Sequence, residues 1–431
     1  MRMLKAGTPE AAAFLSALRL RTRLPSPEIE GAVRAILEDI RRRGDAALFE
    51  YTEKLDGVRL EATTVRVSPA EVQAARESLD PTVFAALALA GERIEAFHRR
   101  HHRESWFYHE EGIGLLGQFV RPLSRVGLYV PGGSAAYPST VLMGAIPARV
   151  AGVEELVICT PAREGRSVPA AVLAAAHLAG VQEIYRIGGA QAVAALAYGT
   201  ESIRPVDKIV GPGNIYVTTA KRLIVGLVGI DMVAGPSEIL IVADETARAG
   251  WVAADLLAQA EHDPMAAAIC VTPSFKLGAA VQMEVENQLT TLPRSSVARE
   301  ALSAFGAVIV TGDLAEAMDV VNTVAPEHLE LLVADPWALA LRVRHAGALF
   351  LGPHTPEVAG DYLAGPNHVL PTAGSARWSS PLSVEDFQKR SSLLSLTPEA
   401  LRRWREPISR LAHLEGLDGH ARALTIRTDL P

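Results

Sequence analysis

From Arg125 onward the chain alternates short apolar runs with alanine-rich helical segments, and no other feature narrows the fold as much. VGLYVPGG, EELVICT, EIYRIGG and VDKIVGPGN have the length of strands and end in turn residues, and PSTVLMGAIPARVAG, VPAAVLAAAHLAG and AQAVAALAYG between them read as helices. Strands regularly separated by helices build a parallel sheet with helices on its faces. The same texture resumes at Ser237 with EILIVADE, a long helix, AAAICVTPS, AFGAVIVTG, LELLVAD and AGALFLG. The expected class is therefore α/β, with two parallel-sheet domains, one inserted in the other. The predicted division is a helical arm over 1–26, a first domain over 27–128 and 237–382, an inserted domain over 129–236, and a mainly helical tail over 383–431. The tail reads as short helices closing on a strand at RALTIR, and it is too small for a core of its own.

A chain of 431 residues exceeds what one core usually fills, which agrees with more than one domain. Its formal charge of -7 offers no electrostatic reason to expect nucleic acid or an anionic membrane as partner. Small solutes fit better. Cys159 and Cys270 both sit in strand-like apolar runs and read as reduced core thiols. The N-terminus reads as a short amphipathic helix without the apolar run and cleavage site of a signal peptide, so a cytoplasmic enzyme is expected. The segments between 27 and about 103 look helical. Within them His98, His101 and His102 are interleaved with Arg99, Arg100 and Arg103, which marks a solvated basic helix end and excludes them from the site.

Glycine turns follow three of the strands: Pro131-Gly132-Gly133, Gly188-Gly189 and Gly211-Pro212-Gly213-Asn214. None completes a Gly-x-Gly-x-x-Gly fingerprint with its acidic partner, so each suits a nucleotide or an ordinary strand-to-helix turn. Other chemistry lies in the second half. Gln259 and His262 are three residues apart at a predicted helix end and so share a face, where both can ligate a divalent metal. Glu327 and His328 stand side by side after a proline; they form either two proton acceptors on one loop or a surface pair near a helix cap. GDYLAGPNHVLPT presents Asp361 and His368 on a glycine-rich loop, and HLEGLDGH in the tail presents Glu415 and His420. Taken together, Gln259, His262, Asp361 and His420 make a nitrogen and oxygen ligand set suited to zinc or manganese.

Over nearly its whole length the sequence resembles the histidinol dehydrogenase family. The likeness rests on IDMVAGPSEILIVAD with ADLLAQAEHD, and on GLYVPGG, YPSTVLM, IGGAQAVAALAYGT, KIVGPGNIYV, APEHLEL, GDYLAGPNHVLPT, SSPLSVEDFQKR and EGLDGH in family order. Gly144 and Trp378 depart from it, where asparagine and phenylalanine are common; Gly144 bears on cofactor affinity. The resemblance implies NAD-dependent oxidation of L-histidinol through bound histidinal to L-histidine, with two NAD and one water. It implies Gln259, His262, Asp361 and His420 as ligands of one zinc per subunit, and Glu327 and His328 as the catalytic pair. Ser237, His328, Glu415 and His368 are then contacts to substrate, joined there by the metal ligands. Tyr129, Gln191 and Asn214 are implied as NAD contacts, on Rossmann-like domains with an incomplete fingerprint. A homodimer is implied as well, its tails completing each other's sites. Two rivals are a dehydrogenase of the same scaffold acting on a substituted propanediol, and a zinc hydrolase using Glu327 to activate water; the hydrolase leaves the glycine turns without purpose.

Overall fold

The computed structural model describes residues 1–21, 25–132, 136–162 and 167–428. Its strands are β1 (Arg2–Lys5), β2 (Trp106–Glu110), β3 (Gly114–Pro122), β4 (Arg125–Tyr129), β5 (Glu155–Cys159), β6 (Glu183–Tyr185) and β7 (Lys208–Val210). They continue with β8 (Gly229–Ile230), β9 (Glu238–Ala243), β10 (Ala267–Thr272), β11 (Gly306–Val310), β12 (His328–Leu332), β13 (Ala348–Leu351) and β14 (Gln388–Leu396). One parallel sheet has the order β6-β5-β4-β7-β8 and a second the order β1-β11-β10-β9-β12-β13. The α/β class and its two parallel sheets are as expected.

Burial on both faces explains the unbroken apolar strands. In β9, Ile239 and Ile241 enter one core with the helix Ala249–Ala260, while Leu240 and Val242 enter another with the helix Leu314–Val324. The sheet opens with β1, which pairs with β11, so the first residues are a strand rather than the start of a helix; the helix Pro9–Leu20 follows.

Packing departs from the predicted division in the first hundred residues. The helices Pro27–Arg43 and Asp45–Asp56 pack on the helix Gly189–Tyr198, Pro69–Ser78 on Ala170–Leu178, and Pro81–His98 on Pro138–Ala151. Val33, Ile36 and Ile40 thus share a core with Val157, Leu196 and Ile209, and the region 27–98 stands with the β4–β8 sheet rather than with the later one. Val369, Leu382 and Phe387 also enter that sheet's core. An apolar stripe at helical spacing states that a face is buried; it does not say against which sheet.

The tail differs as well. SVEDFQKRSSLLSL forms a 3-10 turn, Val384–Phe387, and then β14, which pairs antiparallel with β3 in a small sheet that also holds β2. RALTIR lies in the helix Asp418–Thr428, packed on the helix Pro398–Leu414. Without a partner strand, backbone groups satisfy one another only within a helix. No helix among the described residues is long and apolar enough to cross a membrane.

At the start of β4 the buried Arg125 guanidinium meets Glu183 at 2.7 Å and Glu155 at 2.6 Å. The hydrogen bonds from Arg125 hold the Glu183 carboxyl down at about 2, below its ordinary 4.5. A group so depressed adds stability above its unfolded value and loses it as pH falls toward the folded one. Urea midpoints should therefore drop between pH 4.5 and 2, and Glu183→Gln should flatten that part of the profile; an unaltered profile would remove this pair from the acid response.

Candidate active site

Strand order reverses between β4 and β7, the place where a parallel sheet opens a crevice at its carboxyl edge. The expected glycine turns converge there. Gly132 and Gly188 both close on Pro161, where an added Cβ would lie 2.4 and 2.6 Å from ring carbons, and at Gly211, with φ +113, it would lie 2.1 Å from the Tyr129 carbonyl oxygen. Gly133 lies outside the described residues. Tyr129 is buried at the end of β4, and its hydroxyl accepts from the Gly189 amide at 3.1 Å. Gln191 is fully buried; its Nε2 donates to Asp56 at 3.1 Å, and its Oε1 has no partner among the described residues. Asn214 is exposed and caps the helix Ile215–Leu223, its Oδ1 accepting from the amides of Tyr216 and Val217. Gly144 packs against Leu128, with 2.9 Å between an added Cβ and Leu128 Cδ2, so it acts in helix-to-strand packing; Trp378 is exposed.

The second sheet places its polar cluster at the opposite edge. Glu327 and His328 enter β12 at its amino end, next to the amino end of β9, and both are buried rather than being a surface pair. One residue orients the two of them. The backbone amide of Glu238 donates to Glu327 Oε2 at 2.9 Å, and its carbonyl oxygen lies 3.1 Å from His328 Nδ1. A carbonyl only accepts, so Nδ1 carries the proton and Nε2 keeps a lone pair. That Nε2 is buried with no hydrogen-bond partner, 3.5 Å from Glu357 and 3.8 Å from Asp361. Burial holds His328 down at about 3 and pushes Glu327 well above the carboxylate range. The imidazole is thus neutral over the physiological range.

Asp361 lies on a short helix, Glu357–Tyr362, rather than on an open loop, and its carbonyl oxygen accepts from His368 Nδ1 at 3.1 Å. Burial raises the Asp361 carboxyl to about 6 and lowers His368 to about 4. Gln259 is buried near the end of its helix with Oε1 unpartnered, and the exposed His262 sits in the following turn, near enough for its charge to act on both His328 and His368. Ser237 immediately precedes β9. Glu415 and His420, by contrast, are exposed, Glu415 in the turn after the helix Pro398–Leu414 and His420 on the helix Asp418–Thr428. Neither belongs to the metal-competent group that the described residues form, His328 with Glu357 and Asp361.

Sequence reasoning missed Glu238, Glu357 and Arg21. Glu357 had a signal, since it stands four residues before Asp361 and thus on the same helix face. Glu238 acts through its backbone, which no residue type announces. Its carboxylate is tied to Arg21 at 2.8 Å in a buried pair, and Arg21 also donates to the carbonyls of Pro236 and Met265. Seven residues, 231–237, join the carboxyl edge of the first sheet to the amino edge of the second, a span of at most about 25 Å. One short crossover thus ties the crevice of the first sheet to the edge of the second that carries a buried imidazole, a buried carboxyl and a set of metal-competent donors.

The family model for histidinol dehydrogenase matches residues 20–428. A histidinol dehydrogenase of Syntrophotalea carbinolica is 54% identical over 427 residues, covering 99% of both chains. That of Geobacillus kaustophilus is 54% identical over 398 residues, covering 92% of this chain and 93% of its own. The crystal structure of histidinol dehydrogenase from Elizabethkingia anophelis superposes with a TM-score of 0.93 at 38% identity, over 99% of this chain and 98% of that one.

Proposed function

This chain belongs to the histidinol dehydrogenase family, an NAD-dependent oxidoreductase family, and on that premise we propose that it oxidises L-histidinol through bound L-histidinal to L-histidine, consuming two NAD and one water in the last steps of histidine biosynthesis. The observation that carries this reading is the pair Glu327 and His328 held on the backbone of Glu238, with His328 Nε2 unpartnered. A neutral imidazole so fixed takes the alcohol proton of the first oxidation and the hydrate proton of the second. Glu327, whose carboxyl is raised by burial, serves as the base toward water: its carboxylate takes one proton of the water as the hydroxyl adds to the aldehyde carbon. Keeping the aldehyde enclosed protects it between the steps.

The cofactors fit the donors present. Tyr129, Gln191 and Asn214, at or beside the turns whose glycines let the chain close on Pro161 and on the Tyr129 carbonyl, would contact NAD, and Gln191 Oε1, buried without a partner, offers it an acceptor. NAD, when bound, supplies the hydride acceptor for both oxidations. Gln259, His262 and Asp361, joined by His420, would hold one zinc ion; Gln259 Oε1, buried without a partner, suits that use. Zinc, when bound, supplies orientation of the substrate's amine and imidazole nitrogens. Ser237, His368 and Glu415 complete the substrate contacts in this reading.

Glu415 and His420 would come from the tail of a second copy, in a cytoplasmic homodimer. Support comes from their exposure and from the apolar side chains exposed beside them, Leu411, Leu414 and Leu417.

The zinc-loaded protein with excess NAD is expected to form two NADH per L-histidinol, with histidine as product. One NADH with released aldehyde would overturn the four-electron reading. Glu327→Gln should spare the alcohol step and slow aldehyde oxidation by about 10²–10⁴-fold. Equal losses in both assays would contradict the division of roles.

A further inference from the structure

Lys221 and Asp231 form an ion pair whose side chains are only 3% and 1% exposed. Such burial is costly, and replacing a buried pair with apolar groups is often neutral or stabilising, so stability alone does not account for it. Two of its remaining bonds converge on one residue. Asp231 Oδ2 accepts from the Gly211 amide at 2.7 Å, and Lys221 Nζ donates to the Gly211 carbonyl at 2.9 Å. Asp231 Oδ1 also accepts from the amide of Met232, so the carboxylate is engaged at both oxygens. Gly211 has φ +113 and lies against Tyr129, a conformation that a glycine leaves easily unless it is held.

The surroundings give the clamp two ends. Gly211 opens the turn that leads to Asn214 and the helix Ile215–Leu223, on which Lys221 itself lies two turns further along. Asp231 opens the seven-residue crossover to Ser237 and β9. That crossover is pinned at its far end, where the Gly235 amide donates to Thr372 Oγ1 at 2.6 Å.

We propose that Lys221 and Asp231 are positioning residues for NAD: the ion pair grips Gly211 by its amide and its carbonyl, and thereby sets the Asn214 turn against Tyr129 and at a fixed place relative to the crossover. This rests on the reading of that turn as a nucleotide contact. Neither residue touches the cofactor; both act through the backbone of Gly211.

Lys221→Met alone strands a buried carboxylate and is expected to fold poorly, so the test uses Lys221→Met/Asp231→Asn, which removes both charges and keeps an acceptor for the Gly211 amide. Steady-state kinetics on the zinc-loaded enzyme should give a KM for NAD raised about tenfold or more, with KM for histidinol unchanged. A folding defect alone would reduce the active fraction, hence kcat, and leave both KM values in place. A KM for NAD within about twofold of the parent would overturn the clamp. Asn214→Ala, measured alongside, separates the two ideas. If it weakens NAD while the double variant does not, the clamp fails and the turn's assignment stands. If the double variant weakens NAD and Asn214→Ala does not, the clamp stands and the contact by Asn214 fails. If neither does, the turn is not a nucleotide contact and the clamp falls with it.

Discussion

Replacing His328 with asparagine should lower kcat for oxidation of both L-histidinol and L-histidinal by about 10²–10⁴-fold, the usual contribution of a positioned general base. Both steps are affected because, in the proposed mechanism, one atom, Nε2, receives the proton each time. The fold should survive. Asparagine still offers an N–H toward the Glu238 carbonyl, which accepts from His328 Nδ1 at 3.1 Å, and only the buried, unpartnered Nε2 is lost. Thermal unfolding of the variant should therefore stay close to the parent's. A loss confined to one of the two oxidations would mean that a second group serves the other, and Glu357, 3.5 Å from Nε2, would be the first to test.

A second large effect should come from mixing two inactive variants. His262→Asn and His420→Asn are each expected to abolish turnover as homodimers. In the proposed assembly one residue belongs to the body of a subunit and the other to the tail of its partner. Random pairing after co-expression makes about half of the dimers mixed, each with one doubly altered and one wholly native site, so activity should return to about one quarter of the parent's. No recovery, with mixed dimers demonstrated by mass, would place His262 and His420 in the same subunit's site. Their single-chain geometry motivates the experiment, because His420 is exposed and outside the group formed by His328, Glu357 and Asp361.

Much of the site was legible as residue types in particular contexts. Gln259 with His262, Glu327 with His328, and the glycine turns are local patterns; the first falls at a helix end and the turns follow strands, whereas Glu327 and His328 stand buried at the start of β12 rather than on a loop. What surrounds them was less legible. The burial of Glu327 and His328 depends on β12 lying between β9 and β13, which a loop reading of APEHLEL does not contain. Arg21 reaches Glu238 across 217 positions, and nothing near either residue announces the other. The crevice between β4 and β7 lies at a carboxyl edge, where ligands of parallel sheets gather. The cluster of Glu327 and His328 lies instead at the amino edge of the second sheet, which residues 231–237 join to the first.

The amino-acid sequence by itself determined the class of the fold and the places where donor side chains cluster, since strand and helix periodicity, glycine where a side chain would collide, and donor types at close spacing are properties of neighbouring residues. Only the tertiary structure decided which sheet the helices of 27–98 cover, that RALTIR is helical, that Glu238 meets Glu327 and His328 through its backbone, and that Lys221 and Asp231 bond to the backbone of Gly211. Those outcomes depend on contacts between residues far apart in the chain, and an apolar stripe or a single charged side chain carries no record of its distant partner.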